Sequence, residues 1–163
     1  MGMVGNLIGF FSGKSAAEAA HAETSRKLKE FLQNQIDALE REGEIIFFNE
    51  ISFGYIAHVV MMITKKPVNA SIVRHTLMNI FTDEKSIFMI NNSYQTFVSD
   101  RQTEEKLAAL FPIAKQEYDA GSGEFLIRNT RKIRKAIDAM FLPGAGRNFD
   151  PTKVPCWSAK DLA

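Results

Sequence analysis

The sequence predicts an all-α, single-domain bundle of about five to seven helices. Its 163 residues suit one domain of ordinary size, and 45% of them are hydrophobic, which is enough for a sizeable core. Apolar residues recur at intervals of three and four along most of the chain, which is the period of an amphipathic helix. We therefore expect a helical bundle over residues 1–142, followed over residues 143–163 by an irregular tail that packs on the bundle or extends from it.

Net charge and cysteine content limit the kinds of partner and the cellular compartment that we expect for this protein. The formal net charge is +1, so no long-range field marks the whole protein as a binder of nucleic acid or of anionic membranes. Cys156 is the one cysteine and cannot form an internal disulfide, which favours a reducing compartment. We expect a cytoplasmic protein.

The clearest helix runs from about Thr24 to Glu42. Its apolar residues share one face, charged residues lie opposite, and Gly43 is a natural stop. The Ala-rich segment 15–21 is consistent with an extension of this helix toward the N-terminus. The apolar face consists of Leu28, Phe31, Leu32, Ile36 and Leu39.

Residues 44–63 are apolar on almost every side, and the segment is long enough to suggest a membrane span. Asn49, Glu50 and His58 interrupt it, and a carboxylate near the middle of a span carries an insertion penalty of a few kcal/mol. We therefore predict one helix over this whole range, buried at the centre of a water-soluble bundle.

The next two helices are predicted from their start signals. Asn69 suits the N-cap of a helix through Phe81. Thr82-Asp83-Glu84 indicates another start, and the apolar residues of 86–98 keep helical spacing. The same stretch also fits a β-hairpin that turns at Asn91-Asn92, which would make the fold α+β. The helix is favoured and the hairpin remains the alternative.

Two helices complete the predicted bundle. Thr103-Glu104-Glu105 opens the first, in which Pro112 predicts a kink or a break before a stretch that ends near Gly121. The last helix is expected from about Glu124 to Phe141, where Pro143-Gly144 ends it.

The N-terminal segment carries the most unusual pattern. Gly5, Gly9 and Gly13 repeat every four residues, a spacing of small residues that lets another backbone approach closely. A broad apolar helical face lies beside them and includes Phe10 and Phe11. Three arrangements fit this pattern: packing on the chain's own bundle, which is favoured, self-association, or contact with a membrane surface.

Polar residues within the apolar central helix are candidates for a ligand pocket. Glu50, Gly54 and His58 are four residues apart and so share one helical face, where a carboxylate can tune or orient an imidazole. The spacing does not match a metal-ligand motif, and His21 and His75 are the remaining imidazoles. A hydrogen-bonded polar pair inside the bundle is favoured over a ligand pocket, and no metal is expected.

The last predicted helix carries five positive charges within eight residues. A solvated face paired with acidic neighbours is favoured, a protein contact is the next reading, and nucleic acid is disfavoured because only Asn129 and Thr130 could contact bases. Four of the charges share one side: Arg128, Arg131, Lys132 and Lys135. The acidic neighbours considered are Glu104, Glu105, Glu117 and Asp119.

No motif for a nucleophile, a phosphate loop or a dinucleotide appears in the sequence. A compact helical domain of this kind is more often an interaction module than an enzyme. We therefore predict a small soluble protein without catalytic activity or cofactor, which binds another macromolecule as an adaptor, a chaperone-like carrier or an immunity-type inhibitor. The partner is expected to be a protein or a second copy of the chain. The alternative is a bundle with an internal apolar pocket for a small molecule or lipid, formed around Glu50 and His58.

Overall fold

The computed structural model describes residues 3–67, 69–99 and 103–140, and it describes their side chains except those of residues 3–15, 103, 104 and 140. These ranges contain six α-helices and no strand, so the all-α prediction is confirmed. The predicted tail, residues 143–163, lies outside the described residues. The helices are α1 (Met3–Arg41), α2 (Glu50–Thr64), α3 (Ala70–Ile80), α4 (Glu84–Ser99), α5 (Thr103–Ala120) and α6 (Phe125–Met140).

Helix α2 is the centre of the bundle. Its residues from Ile51 to Val60 are all buried, and each of the other five helices packs against it. The closest association is with α5, where a Cβ added to Gly54 would lie 2.9 Å from Leu110 Cδ1. A glycine at this position therefore allows close approach of the two helices. Within the described residues, no helix has the length and apolar character needed to cross a bilayer.

The predicted start of the central helix at Glu44 is wrong. Residues 44–49 form an irregular segment, and α2 begins at Glu50. Asn49 ends the irregular segment as an N-cap in a reciprocal capping box: its Oδ1 accepts from the Ser52 amide at 2.9 Å, and the Ser52 hydroxyl accepts from the Asn49 amide at 2.9 Å. These bonds satisfy amides that a helix start leaves unpaired, so the polar residues inside the apolar run mark a boundary.

Residues 84–99 form helix α4, so the hairpin alternative is wrong. The Asp83 carboxylate accepts from the Ser86 amide at 2.9 Å and caps the first turn. One face of α4 is buried against α2 and α3, and it includes Ile90 and Phe97. The cap and the apolar period both favour a helix, and together they exclude the turn at Asn91-Asn92.

Helix α5 continues through Pro112, so of the predicted kink or break the break is wrong. The proline ring is exposed, and the helix ends as expected at Gly121, which has a φ of +74°. A left-handed conformation after the last turn favours glycine because it has no Cβ to clash with the backbone.

Helix α1 is one continuous helix of 39 residues, about 58 Å long at 1.5 Å per residue. It includes the upstream segment that the sequence suggested as an extension. Leu28, Leu32 and Leu39 of its C-terminal half are almost fully buried, whereas every side chain from Ala16 to Glu23 is exposed. The half of α1 that follows Glu23 therefore belongs to the core, and residues 16–23 bury no side chain in it.

Polar contacts tie the irregular segment 44–49 to α6. The Thr130 hydroxyl accepts from the Phe47 amide at 3.1 Å, and Asn129 Nδ2 donates to Asn49 Oδ1 at 3.2 Å. Both α6 side chains are buried. Asn49 therefore caps α2 and also fixes the position of α6 against it.

Replacing Asn49 with alanine is expected to lower the free energy of unfolding by about 1–2 kcal/mol, because it removes the cap of α2 and the partner of Asn129. The measurement is urea unfolding followed by circular dichroism. Asn79→Ala is the matched control, since Asn79 is exposed on α3. Equal losses in the two variants would contradict the structural role of Asn49.

Candidate binding surfaces

The structure does not bring Glu50 and His58 together. Glu50 opens α2 and is half-buried, whereas His58 lies two turns further along, about 12 Å away at 1.5 Å per residue, and is buried. Gly54, between them, lies against α5. The shared face predicted from their spacing is thus used for packing, and neither Glu50 nor His58 lines any of the clefts described below.

His58 makes a defined contact with α5. Its Nε2 lies 2.6 Å from the backbone carbonyl oxygen of Leu107, and its ring meets Phe111 edge to face with 5.3 Å between centroids. A carbonyl oxygen only accepts hydrogen bonds, so Nε2 carries the proton and Nδ1 does not. Nδ1 is buried without a hydrogen-bond partner. Burial lowers the pKa of His58, and the bond to Leu107 opposes this shift.

A carboxylate of α5 lies at the N-terminus of α6, a site that the sequence analysis missed. Glu117 accepts from the backbone amides of Glu124 at 3.0 Å and of Phe125 at 3.4 Å. Its side chain is only 13% exposed, and Arg128 lies 3.6 Å away. The negative charge therefore stabilises the positive end of the α6 dipole from a neighbouring helix.

The Glu117 carboxylate also accepts a hydrogen bond from the hydroxyl of Tyr55 on α2. Burial, together with the hydrogen bond to Glu117 and the charge of that carboxylate, raises the pKa of Tyr55 well above its ordinary value, so the phenol remains a donor. A Cβ at Gly123 would collide with the Glu117 carboxylate, and it would lie 2.8 Å from the Tyr55 hydroxyl. Gln35 of α1 completes the arrangement, because its Oε1 accepts from the Leu126 amide at 2.8 Å.

The positive charges of α6 are largely paired through its arginines. Arg128 faces Glu117, and Arg131 binds Glu42 with two nitrogens, one of them, Nε, at 3.3 Å. Arg134 pairs with Glu44 and lies 3.8 Å from Asp138. Lys132 and Lys135 are exposed. Of the acidic neighbours predicted from the sequence, Glu117 pairs with Arg128, and the side chain of Glu104 lies outside those described. Arg131 and Arg134 pair with Glu42, Glu44 and Asp138.

The side chains that could have contacted bases point inward. Asn129 and Thr130 are buried and hydrogen-bonded to the segment 44–49. A groove-reading helix needs such side chains on the same exposed face as its cations. The exposed face of α6 therefore presents arginines and lysines without the amide of Asn129 or the hydroxyl of Thr130 beside them.

The N-terminal contact residues predicted from the sequence lie in α1. Gly5, Gly9, Gly13, Phe10 and Phe11 all fall within the helix that starts at Met3, and their side chains lie outside those described.

A cleft of about 210 Å³ lies between α1, α2 and α3. Its buried floor includes Ala57, Val60 and Val73. Two smaller or more open depressions lie elsewhere, one of about 200 Å³ beside Ile45 and one of about 600 Å³ beside Arg128. Among the described residues, no three His, Cys, Asp or Glu side chains gather as metal ligands.

Stability is expected to fall as the pH is lowered from about 7.5 to 5.5, in part through His58. Its pKa is lowered from 6.5 in the folded protein, so below pH 6.5 the unfolded chain binds more protons and unfolding becomes easier. His58→Gln should keep a donor to Leu107 and reduce this slope, by at most about 1.4 kcal/mol per pH unit. The measurement is urea unfolding at a series of pH values.

His75→Gln is the matched control for His58→Gln, because His75 is exposed on α3. An unchanged slope in His58→Gln, or an equal change in His75→Gln, would show that His58 is not the group responsible.

The protein is expected to pass unretained through immobilised duplex or single-stranded nucleic acid at about physiological ionic strength. Binding requires the release of several counterions by free cations, and ion pairs occupy three arginines of α6. The prediction fails if salt-sensitive retention occurs and is lost in the double variant Arg131→Glu, Lys135→Glu. The control variant Lys29→Glu, Lys85→Glu makes the same charge change at exposed positions on other helices.

Comparison with known proteins adds no relative to this description. No family model matches the sequence, and no curated protein and no solved structure shows significant similarity to it. A function is therefore inferred from the surfaces of the protein itself.

Proposed function

We propose that this chain is a non-catalytic binding protein that presents the N-terminal half of α1 to a protein partner. The observation that supports the proposal is the length and exposure of α1. The helix begins at Met3, yet its core-facing residues begin at Thr24, and the described side chains from Ala16 to Glu23 are all exposed. The bundle therefore buries none of the described side chains of this half, those of residues 16–23.

The composition of the N-terminal half of α1 makes this helix unstable unless another surface packs against it. Gly5, Gly9 and Gly13 each weaken a helix by roughly 1 kcal/mol relative to alanine. Short helices without tertiary contacts are marginal in water. An apolar face gains roughly 1.5–3 kcal/mol for each large side chain that a partner buries. The apolar residues of this face are Met3, Val4, Leu7, Ile8, Phe10 and Phe11.

A protein groove or a second copy of the chain fits this segment best. An amphipathic helix that lays its apolar face into a groove is a common mode of protein recognition, and glycines every four residues allow close helix pairing. Adaptors, chaperone-like carriers and immunity-type inhibitors all work by such contacts. The single cysteine favours a cytoplasmic setting for the interaction.

Deletion of residues 1–13 is expected to abolish partner binding and to leave thermal stability nearly unchanged. The stability should change little because residues 16–23, which link the segment to the core, bury no side chain. Partner binding is measured by affinity capture from the native cell with quantitative mass spectrometry, and self-association by analytical ultracentrifugation of the purified protein. A large fall in melting temperature would mean that the segment packs on its own bundle.

Gly9→Leu and Gly9→Ala test whether binding requires close helix pairing or only the presence of residues 1–13. The leucine should block close backbone approach and release the partner or convert a dimer to a monomer, whereas alanine should be nearly neutral. Ala19→Leu is the control for added bulk on an exposed part of α1. If neither the deletion nor Gly9→Leu changes binding or mass, the proposed function is wrong.

A further inference from the structure

The cleft between α1, α2 and α3 arises from a change in residue size along one face of α1. Leu28 and Leu32 fill the space between α1 and the rest of the bundle. About one, two and three turns before Leu28, the same face carries Thr24, Ala20 and Ala17, which line the cleft. These side chains are short, and a cleft of about 210 Å³ lies between this part of α1 and helices α2 and α3.

The interior of the cleft is apolar because its polar side chains are already bonded. The hydroxyl of Thr24 donates to the Ala20 carbonyl at 3.0 Å, and that of Thr64 donates to the Val60 carbonyl at 2.8 Å. The side-chain oxygen of Asn69 accepts from two amides at the start of α3. The two threonine hydroxyls therefore already donate, and the floor at Ala57, Val60 and Val73 carries only hydrocarbon side chains, so it suits a hydrocarbon group.

The mouth of the cleft is positively charged. Lys66 and His21 are its ionisable lining residues, both are exposed, and none of the described lining residues is acidic. A ligand with an anionic group at the mouth and an apolar body on the floor would match both halves of the surface. Uncharged apolar molecules would match only the floor.

The volume of the cleft limits the size of the apolar body that a ligand can place in it. A dry apolar cavity of about 150 Å³ holds benzene, so 210 Å³ has room for an apolar body of about six to eight carbon atoms. Pockets for larger ligands span about 300–1,000 Å³. A long acyl chain would therefore leave most of its length outside.

We propose that this cleft binds a small carboxylate with an apolar body of about six to eight carbons, its carboxylate beside Lys66. The site shares Ala17, Ala20 and His21 with the N-terminal half of α1, but it lies outside residues 1–13, whose deletion tests the proposed function, and it is distinct from Glu50 and His58.

Octanoate is the probe, and octanol is its uncharged counterpart. Titration of octanoate into the full chain, followed by two-dimensional amide NMR and calorimetry, should give saturable one-to-one binding with shifts at Ala20, Ala57 and Val73. Octanol should bind more weakly. Absence of saturable octanoate binding, or shifts spread over the surface without these residues, would overturn the proposal.

Ala20→Phe is expected to fill the cleft from its exposed rim and to weaken octanoate binding at least tenfold. Ala19→Phe adds the same ring to a neighbouring exposed position outside the lining and should leave binding unchanged. Retained amide dispersion in both variants shows that the fold is intact. Equal affinity in the two variants would overturn the assignment of the site.

Lys66→Gln is expected to weaken octanoate binding about two- to fivefold, the range of an exposed ion pair, and to leave octanol binding unchanged. Lys65→Gln removes the same charge one residue away, at a position that does not line the cleft. If the two lysine variants weaken octanoate binding equally, or neither does, the carboxylate is not held by Lys66 and the anionic part of the proposal is wrong.

Discussion

The burial of α2 on every side constrains the rest of the structure. Ten consecutive residues of this helix are buried, so a polar side chain among them is costly unless it has a partner within the protein. Ser52 finds it in the cap at Asn49, Tyr55 in Glu117, and His58 in the carbonyl of Leu107. The polar side chains of α2 that could have formed a ligand site instead make hydrogen bonds that hold the neighbouring parts of the chain in place.

Two polar junctions then orient α6, and each includes a hydrogen bond between residues at least 80 positions apart in the sequence. At one, Glu117 and Gln35 accept from amides at the start of the helix; at the other, Asn129 and Thr130 hold the segment before α2. Apolar burial alone would allow α6 to rotate or slide, whereas hydrogen bonds with fixed geometry specify one position. Because these hydrogen bonds position α6, the helix has a defined location although its outer face is strongly charged.

Local signals predicted most of the helices, because a cap or a stop acts within a few residues. Asn69, Asp83 and Gly121 lie where their chemistry indicated. The start of α2 was misplaced because the apolar run before Asn49 packs as an irregular segment, and hydropathy does not distinguish such a segment from a helix. The predicted break at Pro112 was wrong because a helix that packs against its neighbours can continue through a proline whose ring is exposed.

The candidate sites were harder to predict because they depend on tertiary contacts. The spacing of Glu50 and His58 predicts a shared helical face, but nothing local showed that α5 packs against Gly54 and His58. The partners of Arg131 and Arg134, Glu42 and Glu44, lie about ninety residues earlier. The cleft depends on a change of residue size along α1. In the sequence this part of α1 is an ordinary Ala-rich helix, and the cleft becomes evident only once the packing of α3 is known.

The position of the cleft links the two proposals. Its walls come from α1 on one side and from α2 and α3 on the other, and it lies where α1 leaves the core. A ligand that contacts both sides at once would stabilise the packing of this part of α1 on the bundle. Binding free energies are reciprocal, so a partner that favours the same position of α1 would raise the affinity of the cleft for its ligand, and one that draws α1 away would lower it. The small side chains of Ala17 and Ala20 therefore place a ligand site at the junction between the core and the proposed binding segment.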